Sequence, residues 1–255
     1  MVSVSQPQRR AVLTGGLVAT AAVITGCSTK TDSGATPKAS ALGAATPSAS
    51  MSAPPATPSA ALARLLEGNA RWVKGSLQRP NQSVGRREAV DEEQDPYGVV
   101  VSCIDSRVPP EMVFDTGIGD LFAIRTGGQV VAPVVTGSIE YGPVTSGTPL
   151  ILVLGHQRCG AVKAAYKALK ERKPLPGDLQ SIAEAVRPAY DVIAKAKHAD
   201  PVDAMIRVHA RQTATGLRRD PALAPLVKKG GLAVVSAYYS LDTGRVEVLD
   251  GAPAA

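Results

Sequence analysis

Two short stretches concentrate side chains able to do chemistry: Cys103-Ile104-Asp105-Ser106-Arg107 and His156-Gln157-Arg158-Cys159. Two cysteines and a histidine form a soft sulfur–nitrogen set of the kind zinc prefers, and three protein ligands leave a fourth position open for catalysis. The 53 positions between Cys103 and His156 are no zinc-finger spacing, so the set assembles only through the fold. The same residues admit plainer roles. The cysteines of an exported protein could pair as a disulfide, and His156 could be a hydrogen-bonded histidine at a strand end. A thiol redox centre fits less well: it needs a close partner and a lowered pKa, and the sequence has no C-x-x-C. Glu111, His198 and His209 gain no support from neighbours, and His198 sits in a lysine-rich stretch that reads as solvated.

The elements that must position these residues follow from the apolar pattern. Tyr97 to Ser102, Leu121 to Arg125 and Pro149 to Leu154 are short continuous apolar runs, as expected of parallel strands covered on both faces. Helical stretches are expected over 62–73 (closed by Gly75), 84–90, 134–141, 160–171 and 178–197. Asp200-Pro201 and Asp220-Pro221 both read as an N-cap followed by proline at the first helical position. Residues 232–239, a turn at Asp242-Thr243-Gly244 and residues 245–249 predict a terminal hairpin. The fold class is therefore α/β: a mainly parallel sheet flanked by helices, with a C-terminal antiparallel hairpin. Both candidate clusters follow strands, where ligands gather in open α/β sheets.

The chain of 255 residues with 44% hydrophobic content has room for one good-sized domain plus extensions. Three cysteines exclude a disulfide-stapled mini-fold. No stretch reaches the roughly 18 apolar residues of a spanning helix, which excludes a polytopic membrane protein. The net charge of +6 is spread without basic runs, and part of it lies before residue 61. Such an excess serves solubility, and no nucleic-acid partner is expected.

Residues 1–27 read as an export signal. Arg9-Arg10 precede a mostly apolar stretch from Ala11 to Ile24, ending in Ile24-Thr25-Gly26-Cys27. The ending resembles a bacterial lipobox, which makes Cys27 the expected lipidation site, and the arginine pair resembles a twin-arginine signal. Residues 28–58 are expected to be a disordered tether, since from Ser28 to Ala60 26 of 33 residues are Ala, Ser, Thr or Pro. Residues 59–255 form the folded domain. These features place the protein at the outer face of the cytoplasmic membrane, held by its lipid anchor only.

Beyond these local readings, the folded part resembles the β-class carbonic anhydrases. Cys103 to Val108 match the family's C-x-D-S-R motif with its following aliphatic residue, and Gly155 to Val162 match G-H-x-x-C-G-A-V. Gly119-Asp120-Leu121-Phe122 with Arg125, Ile139-Glu140-Tyr141 and the tail from Leu226 to Gly244 are similar too, so the likeness spans about residues 61–250. The resemblance implies one zinc per chain on Cys103, His156 and Cys159, with Asp105 and Arg107 as a catalytic dyad. It implies carbon dioxide and bicarbonate as substrates, with Gln94, Phe122, Tyr141 and Gly160 lining their pocket, and zinc-bound hydroxide as nucleophile. It also implies a homodimer or higher even oligomer.

Two thiolates cancel the formal charge of zinc, so the metal acidifies water less than a three-histidine site, where the pKa is about 7. A carboxylate that orients the nucleophile, kept ionised by a forked arginine, then makes physical sense. Hydrolysis of carbonyl sulfide or carbon disulfide on the same scaffold, or a non-catalytic zinc-binding lipoprotein, are the alternative readings. Departures from the family pattern fall at Thr126-Gly127-Gly128-Gln129 and at Val208-His209. Neither touches an expected ligand.

Overall fold

The computed structural model describes residues 53–254. The expected export signal, Cys27 and the tether up to residue 52 lie outside the described residues. Helix α1 (Pro58–Lys74) begins four residues before the expected helical stretch at 62. Thr57 caps it by accepting from Ala60 N–H at 3.3 Å, proline occupies its first turn, and Gly75 closes it in the left-handed conformation at φ 68°. Then come α2 (Val84–Ala89), β1 (Gly98–Cys103), α3 (Pro110–Val113), β2 (Leu121–Thr126), a 3-10 turn at Gly127–Gln129 and α4 (Pro133–Thr145). The second half holds β3 (Leu150–His156), α5 (Gly160–Glu171), α6 (Leu179–Ile193), α7 (Pro201–Arg218), α8 (Ala224–Lys228), β4 (Ala233–Tyr239) and β5 (Val246–Asp250).

The five strands lie in the order β2-β1-β3-β4-β5. The first four are parallel and β5 runs antiparallel to β4, giving the expected hairpin. Strands β1, β3 and β4 are buried along their whole length, because alternate side chains meet a different helical layer on each face. Val100, Leu152, Leu154 and Val235 pack with Leu62, Leu65 and Phe114 on the side of α1 and α3. Val99, Val101, Ile151 and Val153 pack with Ile139, Ala210, Ala214 and Leu217 on the side of α4 and α7. A third cluster joins α5, α6 and α7 around Val162, Val186, Met205 and Ile206.

Polar side chains tie α1 to this frame. Asn69 donates to the carbonyls of Val113 and Gly244 at 3.1 and 2.8 Å and accepts from Val246 N–H at 2.9 Å. Asp115 accepts from Arg71 Nε at 2.6 Å and from the backbone N–H groups of Gln78 and Arg79 at 2.9 Å each. At Gly68 the helix backbone touches the loop after α3, and a Cβ there would stand 1.8 Å from the Phe114 carbonyl oxygen.

Three expectations need correction. Helix α4 continues past residue 141 to Thr145 and carries Pro143 inside it. Helix α6 ends at Ile193, short of residue 197. Asp200 caps α7 as expected, accepting from the Val202 and Asp203 N–H groups, but Asp220 caps only a turn. Its carboxylate accepts from Ala222 and Leu223 N–H at 2.9 and 3.2 Å, and α8 begins later, with Leu223 at its N-cap position.

Candidate metal centre

Cys103 is the last residue of β1 and His156 the last of β3, two adjacent parallel strands. Both side chains therefore emerge at the carboxyl edge of the sheet. Cys159 follows at the N-cap position of α5. The fold thus brings the three expected ligands together, with their donor atoms all within 4.8 Å of one another and all three residues buried. The two thiols are free, their sulfurs 3.8 Å apart, so they do not form the alternative disulfide.

The electrostatics of the cluster suit a cation. The hydrogen bond between the thiols pulls the Cys103 pKa down, helped by the Gly128 N–H, which reaches its sulfur at 3.3 Å. The same bond, with burial, pushes Cys159 up. Without a cation the pair favours one charge, and a bound cation would favour both thiolates. The backbone N–H groups of Ala161 and Val162, at the start of α5, help to offset charge on Cys159.

His156 supplies the observation most specific to a metal. Its Nδ1 lies 3.0 Å from the Gln157 carbonyl oxygen, a contact that fixes the proton on Nδ1 and leaves the Nε2 lone pair free. Nε2 is fully buried and has no hydrogen-bond partner among the described residues. An orphaned buried nitrogen is costly unless something binds it. With two sulfurs beside it, the donor set fits zinc.

The expected dyad lies alongside. Arg107 grips Asp105 through Nε to Oδ1 at 2.9 Å and Nη2 to Oδ2 at 2.7 Å, and its backbone N–H adds a bond to Oδ1 at 3.0 Å. The fork holds the Asp105 carboxyl well below the usual carboxylate range, although burial opposes the shift. Oδ2 lies 3.9 Å from His156 Nε2, so the carboxylate borders the space any ion there would occupy. Arg125 holds this segment from β2, donating to the Cys103 carbonyl at 3.0 Å and to the Asp105 carbonyl at 2.6 Å.

The expected pocket residues are more scattered. Phe122 and Tyr141 stack edge to face, with ring centroids 5.8 Å apart at 89°, and Gly142 makes room for them: a Cβ there would meet Phe122 at 3.0 Å and Val99 at 2.8 Å. Gly160 opens α5, exposed and with open space above it. Gln94 lies exposed between α2 and β1 and makes no hydrogen bond within the described residues.

Sequence reasoning gave Arg125 no role at the site, and it expected the departure at Thr126-Gly127-Gly128-Gln129 to touch no ligand, whereas the Gly128 N–H reaches Cys103 Sγ at 3.3 Å. Arg125 pairs with Ser102 in the β1–β2 register, one position from the ligand, and Gly128 adopts φ 69°, which a glycine pair after a strand can signal. His209 is buried on α7, and burial lowers its pKa to about 4. His198 and Glu111 are exposed.

Residues 98–246 match the carbonic anhydrase family model. The chain is 39% identical over 198 residues to carbonic anhydrase 2 of Mycobacterium tuberculosis, covering 77% of this chain and 95% of that one. It is 40% identical over 196 residues to a carbonic anhydrase of Mycolicibacterium smegmatis, covering 76% and 95%. Its fold is similar to one of two tetrameric β-carbonic anhydrases from the filamentous ascomycete Sordaria macrospora, with a TM-score of 0.59, 19% identity, and coverage of 76% and 98%.

Proposed function

The chain belongs to the β-class carbonic anhydrases, and from that premise we propose that it catalyses zinc-dependent, reversible hydration of carbon dioxide to bicarbonate and a proton. The observation that carries this reading is the orphaned Nε2 of His156 facing two free thiols, with a forked carboxylate at its edge. Cys103, His156 and Cys159 would hold the ion. Bound there, zinc supplies Lewis acidity that makes water a stronger acid near neutral pH.

The chain's own residues do the rest. Asp105, kept ionised by Arg107, accepts a hydrogen bond from the attacking oxygen and fixes its direction. Arg107 cannot release its proton at working pH, so it holds the carboxylate without competing as an acid. Arg125 holds the Cys103 and Asp105 backbone still, so ligand and orienting group keep a fixed separation. Gly160 follows the ligand Cys159 and would border the substrate. Gln94 and Phe122 lie toward the start of β1 and β2, away from the edge that carries Cys103. A second copy of the chain would have to bring them, with Tyr141, to the site as a wall suited to an uncharged substrate.

We assign the active species as a homodimer or higher even oligomer. Val134, Tyr141 and Val144 of α4 are each more than half exposed in the single chain, next to the edge strand β2, and a second copy would cover them. The sequence of residues 1–27 carries the further proposal of export and lipid anchoring through Cys27. Loss of labelled palmitate from Cys27→Ala, with the wild type labelled, is the expected result.

Stopped-flow carbon dioxide hydration, with zinc measured on the same sample, tests the activity. About one zinc per chain, and a rate lost in Asp105→Asn with zinc retained, is the expected outcome. Full zinc without hydration would overturn the reading and move the activity to carbonyl sulfide or carbon disulfide, or to binding alone.

A further inference from the structure

Only Gln157 and Arg158 separate the ligands His156 and Cys159, and both side chains reach the same carboxylate. Gln157 Nε2 donates to Asp242 Oδ2 at 2.8 Å, and Arg158 Nη2 donates to Oδ1 at 2.7 Å. In return the Asp242 N–H and the Ser240 hydroxyl donate to Gln157 Oε1 at 3.2 and 3.3 Å. The Gln157 N–H donates to the Tyr239 carbonyl at 2.9 Å. The ligand loop is thus stitched to the turn between β4 and β5.

That stitching matters because Arg158 is held where arginine does not prefer to be. Its φ is 54°, in the left-handed region, where a Cβ crowds the carbonyl and the conformation lasts only if surroundings enforce it. Two consequences follow from the pose. Cys159, the next residue, receives its direction from it. The Arg158 carbonyl also accepts from Arg107 Nη2 at 3.3 Å, and this is the guanidinium that forks Asp105. One conformation therefore sets both a ligand and the dyad.

We propose that Asp242 is a positioning residue for the metal centre: by gripping Gln157 and Arg158 it fixes the loop that places Cys159 and aims the Arg158 carbonyl at Arg107. The inference rests on the proposed zinc site. Asp242 and Arg158 side chains are more than half exposed, 57% and 55%, so as a plain ion pair they contribute little to stability. A positioning role and a merely structural one therefore separate by experiment.

The test uses the full chain loaded with zinc and, in parallel, with cobalt(II), whose visible bands report thiolate ligation and tetrahedral geometry. In Asp242→Ala, zinc affinity measured against a competing chelator falls about tenfold, the low end for residues that orient ligands. The cobalt bands shift, while the urea midpoint of the metal-free protein stays put. Asp242→Asn, which keeps one acceptor, restores part of the affinity. Arg158→Gly removes the left-handed strain, so adding Asp242→Ala to it costs less than in the wild-type background.

An Asp242→Ala protein with wild-type zinc affinity and unmoved cobalt bands would overturn the positioning role alone. A wild-type chain that binds cobalt but hydrates no carbon dioxide would remove the proposed activity and leave this role standing. A wild-type chain that binds neither metal would overturn both.

Discussion

Replacing Asp115 by asparagine keeps the shape of the side chain and removes its charge. The carboxylate is 1% exposed and accepts from three donors: Arg71 Nε, Gln78 N–H and Arg79 N–H. An amide presents one acceptor oxygen where there were two, and its NH2 must face a donor. Bonds to a charged group contribute about 1.5–3 kcal/mol against about 1 for neutral ones, and an orphaned buried donor costs about 1–3. The expected loss is about 4 kcal/mol, a large share of the roughly 5–15 kcal/mol that holds a domain together.

Urea unfolding of the zinc-loaded protein at fixed concentration reads this out, since ligand and subunit binding also stabilise. At a slope of about 2 kcal/mol per molar, the midpoint drops by about 2 M. A second signature lies in pH. Burial alone would raise the Asp115 pKa, but the Arg71 bond and the two backbone donors outweigh it and leave the group below its usual value. Its stabilisation is therefore full above the unfolded pKa of about 3.9 and is lost as pH falls through the lower folded value. Wild type and Asp115→Asn should differ at pH 7, and the gap should narrow below pH ~4 by the part of the loss that depends on the charge. A variant within about 1 kcal/mol of wild type at pH 7 would refute the reasoning.

Cys159→Ser and His156→Ala should each lower bound zinc well below one per chain, as metal analysis of the dialysed protein would show. Arg107→Lys keeps the charge but not the two-point grip on Asp105. We expect kcat/KM to fall about tenfold or more at unchanged zinc content, as for other groups that orient a metal site. Zinc removal followed by a mild oxidant should join Cys103 to Cys159, whose sulfurs stand 3.8 Å apart, and a thiol count should show that zinc prevents it. Gly68→Ala drives a methyl into the Phe114 carbonyl, and thermal unfolding should register about 3 kcal/mol of lost stability.

The strands were legible because continuous apolar runs can be satisfied only inside a sheet covered on both faces, and β1, β3 and β4 lie within about two residues of expectation. Helix α5 has the expected bounds, since a glycine begins its pattern and a charged, polar stretch ends it. Helix α4 and the Asp220-Pro221 pair departed from expectation for opposite reasons. Tertiary packing carried α4 through a proline that normally stops a helix, whereas the Asp220 carboxylate spent its acceptors on a local turn. At the site, residue types and the family resemblance named the three buried side chains that the fold gathers within 4.8 Å and the carboxylate–arginine pair beside them. The Asp242 clamp stayed hidden because Gln157 and Arg158 sit 85 and 84 positions from it, and ordinary exposed polar residues announce no partner.

The adjacency of β1 and β3 also constrains how the protein matures. Cys103 and Cys159 lie 56 positions apart, and the chain between them must lay down β2 and α4 before β3 returns beside β1. His156 and Cys159 lie three positions apart, but Cys103 joins them only through the fold, unlike the closely spaced ligand pairs of a zinc finger, where the ion organises the chain. Closure of that long crossover should be the slow event, as non-local parallel pairing generally is, and an ion would arrive at a pocket already built. Zinc added during refolding should thus raise the yield of loaded protein without quickening the rate at which the sheet forms.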